Sequence, residues 1–219
     1  MRKIFNLKPK PYKKSYSQLG EDLVLDYLLN QINIDRPYYV DIGSNDPKKF
    51  SNTYFFYLKG SSGVCVDPNP LFKKLYKTVR PNDIFINAGI SPEISGNSLF
   101  YNMDWHEFST FDKEQAEKVQ KKYNGKNNIK SIVNLPVISV SSLMEKLKNP
   151  VDLLSLDVEG LDYDILKFWN FDEITPKLIC IECKSLKTGN FNKQIDAFLK
   201  SKGYKAKYYN PINSIYGIN

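Results

Sequence analysis

Two short segments far apart in this chain, DIGSN (41–45) and LSLDVEG (154–160), constrain its fold more than any other feature. Each ends an apolar, strand-like run with acidic and small residues. A doubly wound α/β sheet carries that signature. Its strands are buried along their length and bring polar groups only to the carboxyl edge, where ligands bind. The pair predicts a ligand pocket on a sheet edge with a charged site beside it.

The rest of the sequence keeps the rhythm of such a sheet. Residues 17–30 read as an amphipathic helix with Leu19, Leu23, Val24, Tyr27 and Leu28 on one face. Glu21 and Asp22 fall in its first turn, where the helix dipole favours acids. Strands are expected at 38–42, 63–66 and 84–88, with a short helix at 51–58 and a longer one marked by Pro68 and Pro70 that runs to Val79. Such alternation implies parallel βαβ units with right-handed crossovers. The pattern breaks between Ser91 and Asn134. There a polar stretch holds a strand near Leu99, a helix at 112–122, and KKYNGKNNIK (121–130), which reads as a mobile loop. An insert of this length, placed at about 97–134, is usually a lid or a recognition element. The rhythm resumes with a strand at 136–140 and a helix from Ser142, whose capping box Glu145 closes. Strands at 151–157 and 178–182 flank a helix at 162–169. A helix at 192–202 and a strand pair at 204–209 and 215–218 complete the chain. The organisation is a basic tail, 1–14, and a single domain, 15–219, large enough to bury one core without disulfides or metals.

Composition excludes several classes. A hydrophobic content of 42% rules out a disordered chain, and no apolar run approaches the roughly 20 residues of a membrane-spanning helix. The N-terminal stretch MRKIFNLKPKPYKK lacks the apolar core of a signal peptide. Cys180 and Cys183 share one strand-like run, where alternation places them on opposite faces, and no second Cys or His pair completes a metal site. Reduced thiols in a cytoplasmic protein are the expectation. The net charge of +7 suits an anionic partner such as nucleic acid, an acidic glycan or phosphosugar, or a membrane surface, but lysines gathered at 8–14, 118–130 and 200–207 read first as a solvated surface.

A dinucleotide fold needs three glycines after its first strand so that backbone can approach a pyrophosphate. Here only Gly43 is present, and Pro47 stands where a late glycine belongs. What remains suits a ligand with a carboxylate, an amine and a ribose. Backbone amides of the turn through Gly43, Ser44 and Asn45 can hold the carboxylate, and Asp41 can accept from an ammonium. Asp67, followed by Pro68 at the end of the second strand, is spaced to meet two ribose hydroxyls, and Asn87 and Ala88 can line the adenine side. S-adenosylmethionine has all of these groups. Asp157 and Glu159 lie two apart, so a continuing strand would turn both to one side, and neighbouring carboxylates raise the pKa of one toward that of a general base. The alternative is that they flank the next helix start. With no third ligand in evidence, no metal is assigned. His106, the only histidine, lies in the aromatic run DWHEFSTF (104–111); it is a second candidate base or a packing residue, and Ser109 and Thr110 beside it can contact cofactor or substrate.

The ordered motifs YSQLGED (16–22), VDIGSNDP and SNTYFF (40–56), GVCVDPNP (63–70), INAGIS (86–91) and LLSLDVEGLDYDIL (153–166) resemble the FkbM family of S-adenosylmethionine-dependent methyltransferases. The resemblance spans residues 16–183. It implies a class I methyltransferase fold, Rossmann-like α/β, with a seven-stranded, mostly parallel sheet, helices on both faces and an antiparallel last strand. It further implies O-methylation of a hydroxyl on a sugar, glycan or related small molecule. At the matching positions Asp41, Gly43 and Asn45 would hold the methionine end and Asp67 the ribose. Gln18, Asn52 and Asn87 would surround the pocket, and Asp157 and Glu159 would face the transferred methyl. Two positions depart from the family pattern: Pro47 replaces a glycine, and Asp67 a common glutamate. The competing readings are an RNA methyltransferase, from the positive charge and Tyr/Lys stretches, and a non-catalytic nucleotide-binding module.

Overall fold

The computed structural model describes residues 14–148, 150–158, 160–183 and 192–218. In chain order its elements are α1 (Glu21–Gln31), β1 (Tyr39–Ile42), α2 (Tyr54–Leu58), β2 (Gly63–Val66), α3 (Pro70–Val79), β3 (Ile84–Ile86), β4 (Gly89–Ser91) and β5 (Gly96–Met103). A 3-10 turn (His106–Phe108) then leads to α4 (Lys113–Lys122), β6 (Ile129–Ser139), α5 (Val140–Met144), β7 (Leu153–Leu156) and α6 (Asp162–Phe168). The last elements are β8 (Leu178–Glu182), α7 (Lys193–Ser201), β9 (Tyr204–Tyr209) and β10 (Asn213–Ile218). The main sheet has seven strands in the order β3-β2-β1-β7-β8-β10-β9. Only β10 runs antiparallel to its neighbours β8 and β9.

The central strands are buried on both sides, which is why they read as unbroken apolar runs. Period-two alternation divides them. Val40, Ile42, Val66, Leu156 and Ile181 pack with α5, α6 and α7 on one face, whereas Tyr39, Cys65, Leu153 and Cys180 pack with α1 and α3 on the other. Cys180 and Cys183 therefore sit on opposite faces, and all three cysteines are free and buried. Among the described residues no helix is long and apolar enough to cross a membrane.

Several local expectations are corrected. The first helix starts at Glu21, because Gly20 takes a left-handed conformation (φ 90°) and breaks the turn. Of the expected face, Val24 and Leu28 pack partly buried against the core while Leu19 and Tyr27 are exposed; Leu25 and Leu29 point fully inward beside the buried acids Glu21, Asp22 and Asp26. Each acid is partnered, which periodicity cannot register. Asp22 accepts from Ser15, Ser17 and the Tyr16 N–H, and Lys59 lies 2.7 Å from Asp26. Burial penalises a charged Glu21, yet hydrogen bonds from Asn213, Leu19 N–H and Asn210 outweigh it and hold the carboxyl below its ordinary range. These bonds staple the chain ahead of α1 to the end of the sheet and thereby position Gln18.

The third strand stops at Ile86 instead of continuing to Ala88. The chain then enters a second sheet of order β4-β6-β5, with β4 parallel and β5 antiparallel to β6. This sheet accounts for the polar break, and it begins earlier and ends later than 97–134. The strand expected at 136–140 is the end of the long β6 and does not rejoin the main sheet. Residues 121–130 do not form an open loop. Lys121 and Lys122 end α4, Ile129 begins β6, and between them Asn127 and Asn128 bond the backbone at Trp105 and the Asp104 carboxylate. The N-cap of α5 is Ser139, which accepts from the Ser142 N–H; Glu145 lies at that helix's other end. The basic tail up to Lys13, and Glu159, lie outside the described residues.

Candidate active site

Parallel pairing sets Ile42 beside both Val66 and Leu156. The two segments remote in sequence thus meet at one sheet edge, where strand order turns: β2 and β3 lie to one side of β1, β7 and β8 to the other. A cleft of about 1110 Å³, solvent at its mouth included, opens there. Gln18, Asp41, Gly43, Ser44, Asn45, Asn52, Asp67, Pro68, Ala88 and Asp157 all line it. Asn87 stands behind the wall; its Nδ2 donates to the carbonyls of Asp67 and Asn69 and braces the turn after β2.

Only glycine fits at position 43. Its φ is +78°, and a Cβ there would lie 1.7 Å from the Asp157 carbonyl oxygen. This close approach lets the ends of β1 and β7 touch. The expectation that the turn's amides grip a carboxylate is corrected. The Gly43 and Ser44 N–H groups both donate to the Val66 carbonyl, at 2.9 and 3.1 Å. The Asn45 N–H donates to Asp67 Oδ2 at 2.9 Å, and the amides of Asp46, Lys48 and Lys49 bond side chains within the same loop. These bonds shape the wall of the cleft. The loop also carries backbone strain: Asn45 and Phe50 have φ of 48° and 59°, the latter rare for a bulky residue and typical of functional segments.

Asp67 is pinned by two backbone donors, Asn45 N–H on Oδ2 and Asn69 N–H on Oδ1. Burial pushes its pKa up from 3.8 to about 7 despite those bonds, and the nearby Asp41 charge adds to the rise. Because the folded value lies above the unfolded one, its stabilising contribution is present at acid pH and lost as pH rises through about 7. Accepting two ligand hydroxyls has the opposite demand, since an ionised carboxylate only accepts. A ligand that donates hydroxyl hydrogens to Asp67 should therefore bind more tightly as pH rises through about 7. Asp67→Asn should flatten that slope in calorimetric titrations between pH 5.5 and 7.5.

Asp41 is buried at the cleft floor. It accepts from Thr53 Oγ1 at 2.6 Å. Burial raises its pKa, opposed by the Arg80 charge and by hydrogen bonds from Thr53 and Ser155. Asn52 Nδ2 donates to Ser155 Oγ at 3.3 Å, which ties the loop after β1 to β7. Asp157 lies one residue past β7, so the strand does not carry on to Glu159 as the shared-side expectation requires. The buried Asp162 folds this loop back by accepting from the N–H groups of Val158 and Gly160, and burial lifts its pKa to about 6.

The second sheet supplies the opposite wall. His106 reaches the cleft and meets the Phe72 ring edge-on at 5.4 Å. Its Nδ1 is buried and makes no hydrogen bond among the described residues; Glu107 Oε2 lies 3.8 Å away. Glu107 Oε1 lies 3.6 Å from Lys49 Nζ, so an ion pair joins this wall to the loop after β1. Ser109, Thr110, Phe100 and Phe111 complete the wall. Phe111 fits because Gly89 lacks a side chain; a Cβ there would lie 2.3 Å from its ring. Lys49, Phe72, Phe100, Glu107 and Phe111 were not identified from the sequence, although Glu107 and Phe111 lie within the run DWHEFSTF; only tertiary packing brings the five to one cleft.

The sequence matches the family model of the methyltransferase FkbM domain over residues 41–206. The chain belongs to the FkbM methyltransferase family. No curated protein matches it in sequence. Its fold is that of a class I methyltransferase. A Staphylococcus aureus protein described as a caffeoyl-CoA O-methyltransferase superposes with a TM-score of 0.52 at 9% identity, covering 94% of this chain and 86% of the other. A Burkholderia thailandensis 1,6-didemethyltoxoflavin-N1-methyltransferase, solved with S-adenosylhomocysteine, gives 0.46 at 9% identity over 92% and 78%. A Pyrococcus horikoshii protein described as an RNA methyltransferase gives 0.46 at 10% identity over 97% and 91%. In the FkbM domain described here, the profile begins at Asp41 itself and takes in both strand ends and the second sheet.

Proposed function

We propose that this methyltransferase moves the methyl group of S-adenosylmethionine to a hydroxyl of a sugar, glycan or related small molecule. The observation that carries the reading is the convergence of Asp41, Asp67 and Asp157 on one cleft at the strand-order switch point. The donor set fits the cofactor: Asp41 would take the ammonium, Asp67 the ribose hydroxyls, and Ala88 with Pro68 the base. Gln18 and Asn52 would complete its surroundings, while Asn87 acts from behind. The single glycine after β1 and its spent amides leave no cradle for a pyrophosphate.

When bound, the cofactor supplies an electrophilic methyl on sulfonium; the C–S bond breaks as the C–O bond forms, and the sulfur keeps the electron pair. The chain's part is largely orientation. Asp157 would receive the hydroxyl proton, with Glu159 or, from the opposite wall, His106 as alternates. Phe100 and Phe111 would pack on the acceptor and exclude water. A cytoplasmic setting accords with the three free thiols.

Calorimetry with S-adenosylhomocysteine should show saturable binding to the wild type and to Asp157→Asn, with no binding of NAD. Turnover of a labelled methyl donor on a panel of sugars should be lost in Asp157→Asn. Binding of NAD, or failure to bind S-adenosylhomocysteine, would discard the cofactor reading; label entering RNA and no sugar would discard the acceptor class.

A further inference from the structure

Arg80 heads the largest fully buried side chains among the described residues. It follows α3, and its guanidinium reaches five partners. Nε bonds Asp83 Oδ2 at 2.6 Å. Nη1 reaches the Pro47 carbonyl and Ser51 Oγ, at 3.4 and 3.3 Å. Nη2 donates to Tyr39 Oη and to Thr53 Oγ1, both at 3.0 Å. The rings of Tyr39, Tyr57 and Tyr76 enclose it at 5.3, 5.5 and 5.4 Å.

Neutralising Asp83 does not require this many donors. Asp83 already accepts from the Tyr39 hydroxyl and the Gly63 N–H. The bonds to Pro47, Ser51 and Thr53 all go to the loop that borders the cleft. Thr53 has one hydroxyl hydrogen. Arg80 Nη2 donates to Oγ1 and Ser51 Oγ lies 3.4 Å from it, so the hydrogen goes to the shorter, charged acceptor, Asp41 Oδ2 at 2.6 Å, while the guanidinium holds the oxygen in place. A guanidinium that does not itself line the cleft thus supports the orientation of a carboxylate that does.

We propose that Arg80, acting through Thr53, is a positioning residue for the cofactor's ammonium group: it locks the Thr53 hydrogen on Asp41 so that the carboxylate presents its remaining lone pairs to the cleft. The inference rests on the reading of Asp41 as the ammonium acceptor. Burial disfavours a charged Asp41, and the cation and the hydroxyl hydrogen both work against that penalty. Removing the hydroxyl should therefore weaken ligands that carry an ammonium and spare those that do not.

The test pairs two ligands, S-adenosylhomocysteine and 5′-methylthioadenosine, which keeps the nucleoside and thioether and lacks the amino-acid end. Thr53→Val should lose about tenfold or more in affinity for the first and about twofold or less for the second. Thr53→Ser, which restores the hydroxyl, should recover binding of the first. Arg80→Lys keeps the charge but offers no planar fork, and combined with Thr53→Val it should add little to the loss in the single valine variant. If Arg80→Lys does not fold, the Thr53 pair still decides. Equal losses for both ligands, no loss for either, or no recovery with serine would overturn the inference while wild-type binding kept the cofactor reading intact. A wild type that binds neither ligand would overturn both.

Discussion

Replacing Gly43 by alanine is expected to lower stability by about 3 kcal/mol, a fall of roughly 6–12 °C in Tm for a chain of this size, and to abolish S-adenosylhomocysteine binding. Two costs add. The left-handed φ of +78° strains any side chain, and the new Cβ would stand 1.7 Å from the Asp157 carbonyl, a contact that backbone must move to relieve. Moving it separates the ends of β1 and β7, which carry Asp41 and Asp157. Gly203 is the internal control: its φ is +87°, yet nothing lies within 4 Å of an added Cβ, so alanine there should cost only about 1 kcal/mol of strain. Thermal unfolding of both variants checks the expectation. Equal Tm losses at the two positions would mean that the approach of Gly43 to Asp157 is not tight in solution.

Arg80→Met should be at least as damaging to stability, by about 3–5 kcal/mol, because it leaves Asp83 buried without its cation and orphans donors and acceptors on three elements. Both side chains of this pair are 0% exposed, so solvent cannot compensate. Lys118→Met, which breaks the exposed i,i+4 pair with Glu114, should change stability by less than about 1 kcal/mol. Urea unfolding of the two variants separates the cases. A loss at Arg80 no larger than that at Lys118 would show that the buried network contributes nothing net.

The second wall illustrates what sequence reading could not reach. DWHEFSTF drew attention to His106, but its environment depends on Phe72 from α3 and on the Glu107–Lys49 pair, whose members lie on separate elements. The inner face of α1 was misjudged for a related reason. Hydrophobic periodicity assumes that acids face water, whereas Glu21, Asp22 and Asp26 turn inward because Asn210, Asn213, Ser15, Ser17 and Lys59 meet them there. Asn210, Asn213 and Lys59 are too remote in sequence for a local window to register. The same limit hid Arg80, an arginine in an otherwise ordinary helix end.

The sequence by itself determined the sheet and its loaded edge. Apolar runs buried on both faces can only be central strands, and the acidic and small residues that end them must sit where the strands stop and ligands can approach. It also argued against a pyrophosphate cradle, since only one of the three glycines of that motif is present. Only the tertiary structure decided what each polar group is free to do. The amides after β1 bond Val66 and Asp67, the Asn87 amide bonds the carbonyls of Asp67 and Asn69, and Asp41 is tuned by a guanidinium remote from it in sequence. The physical reason is the range of the forces. Strand burial is written in local alternation, whereas hydrogen-bond saturation and charge compensation are settled by whichever side chains the fold brings within about 3 Å.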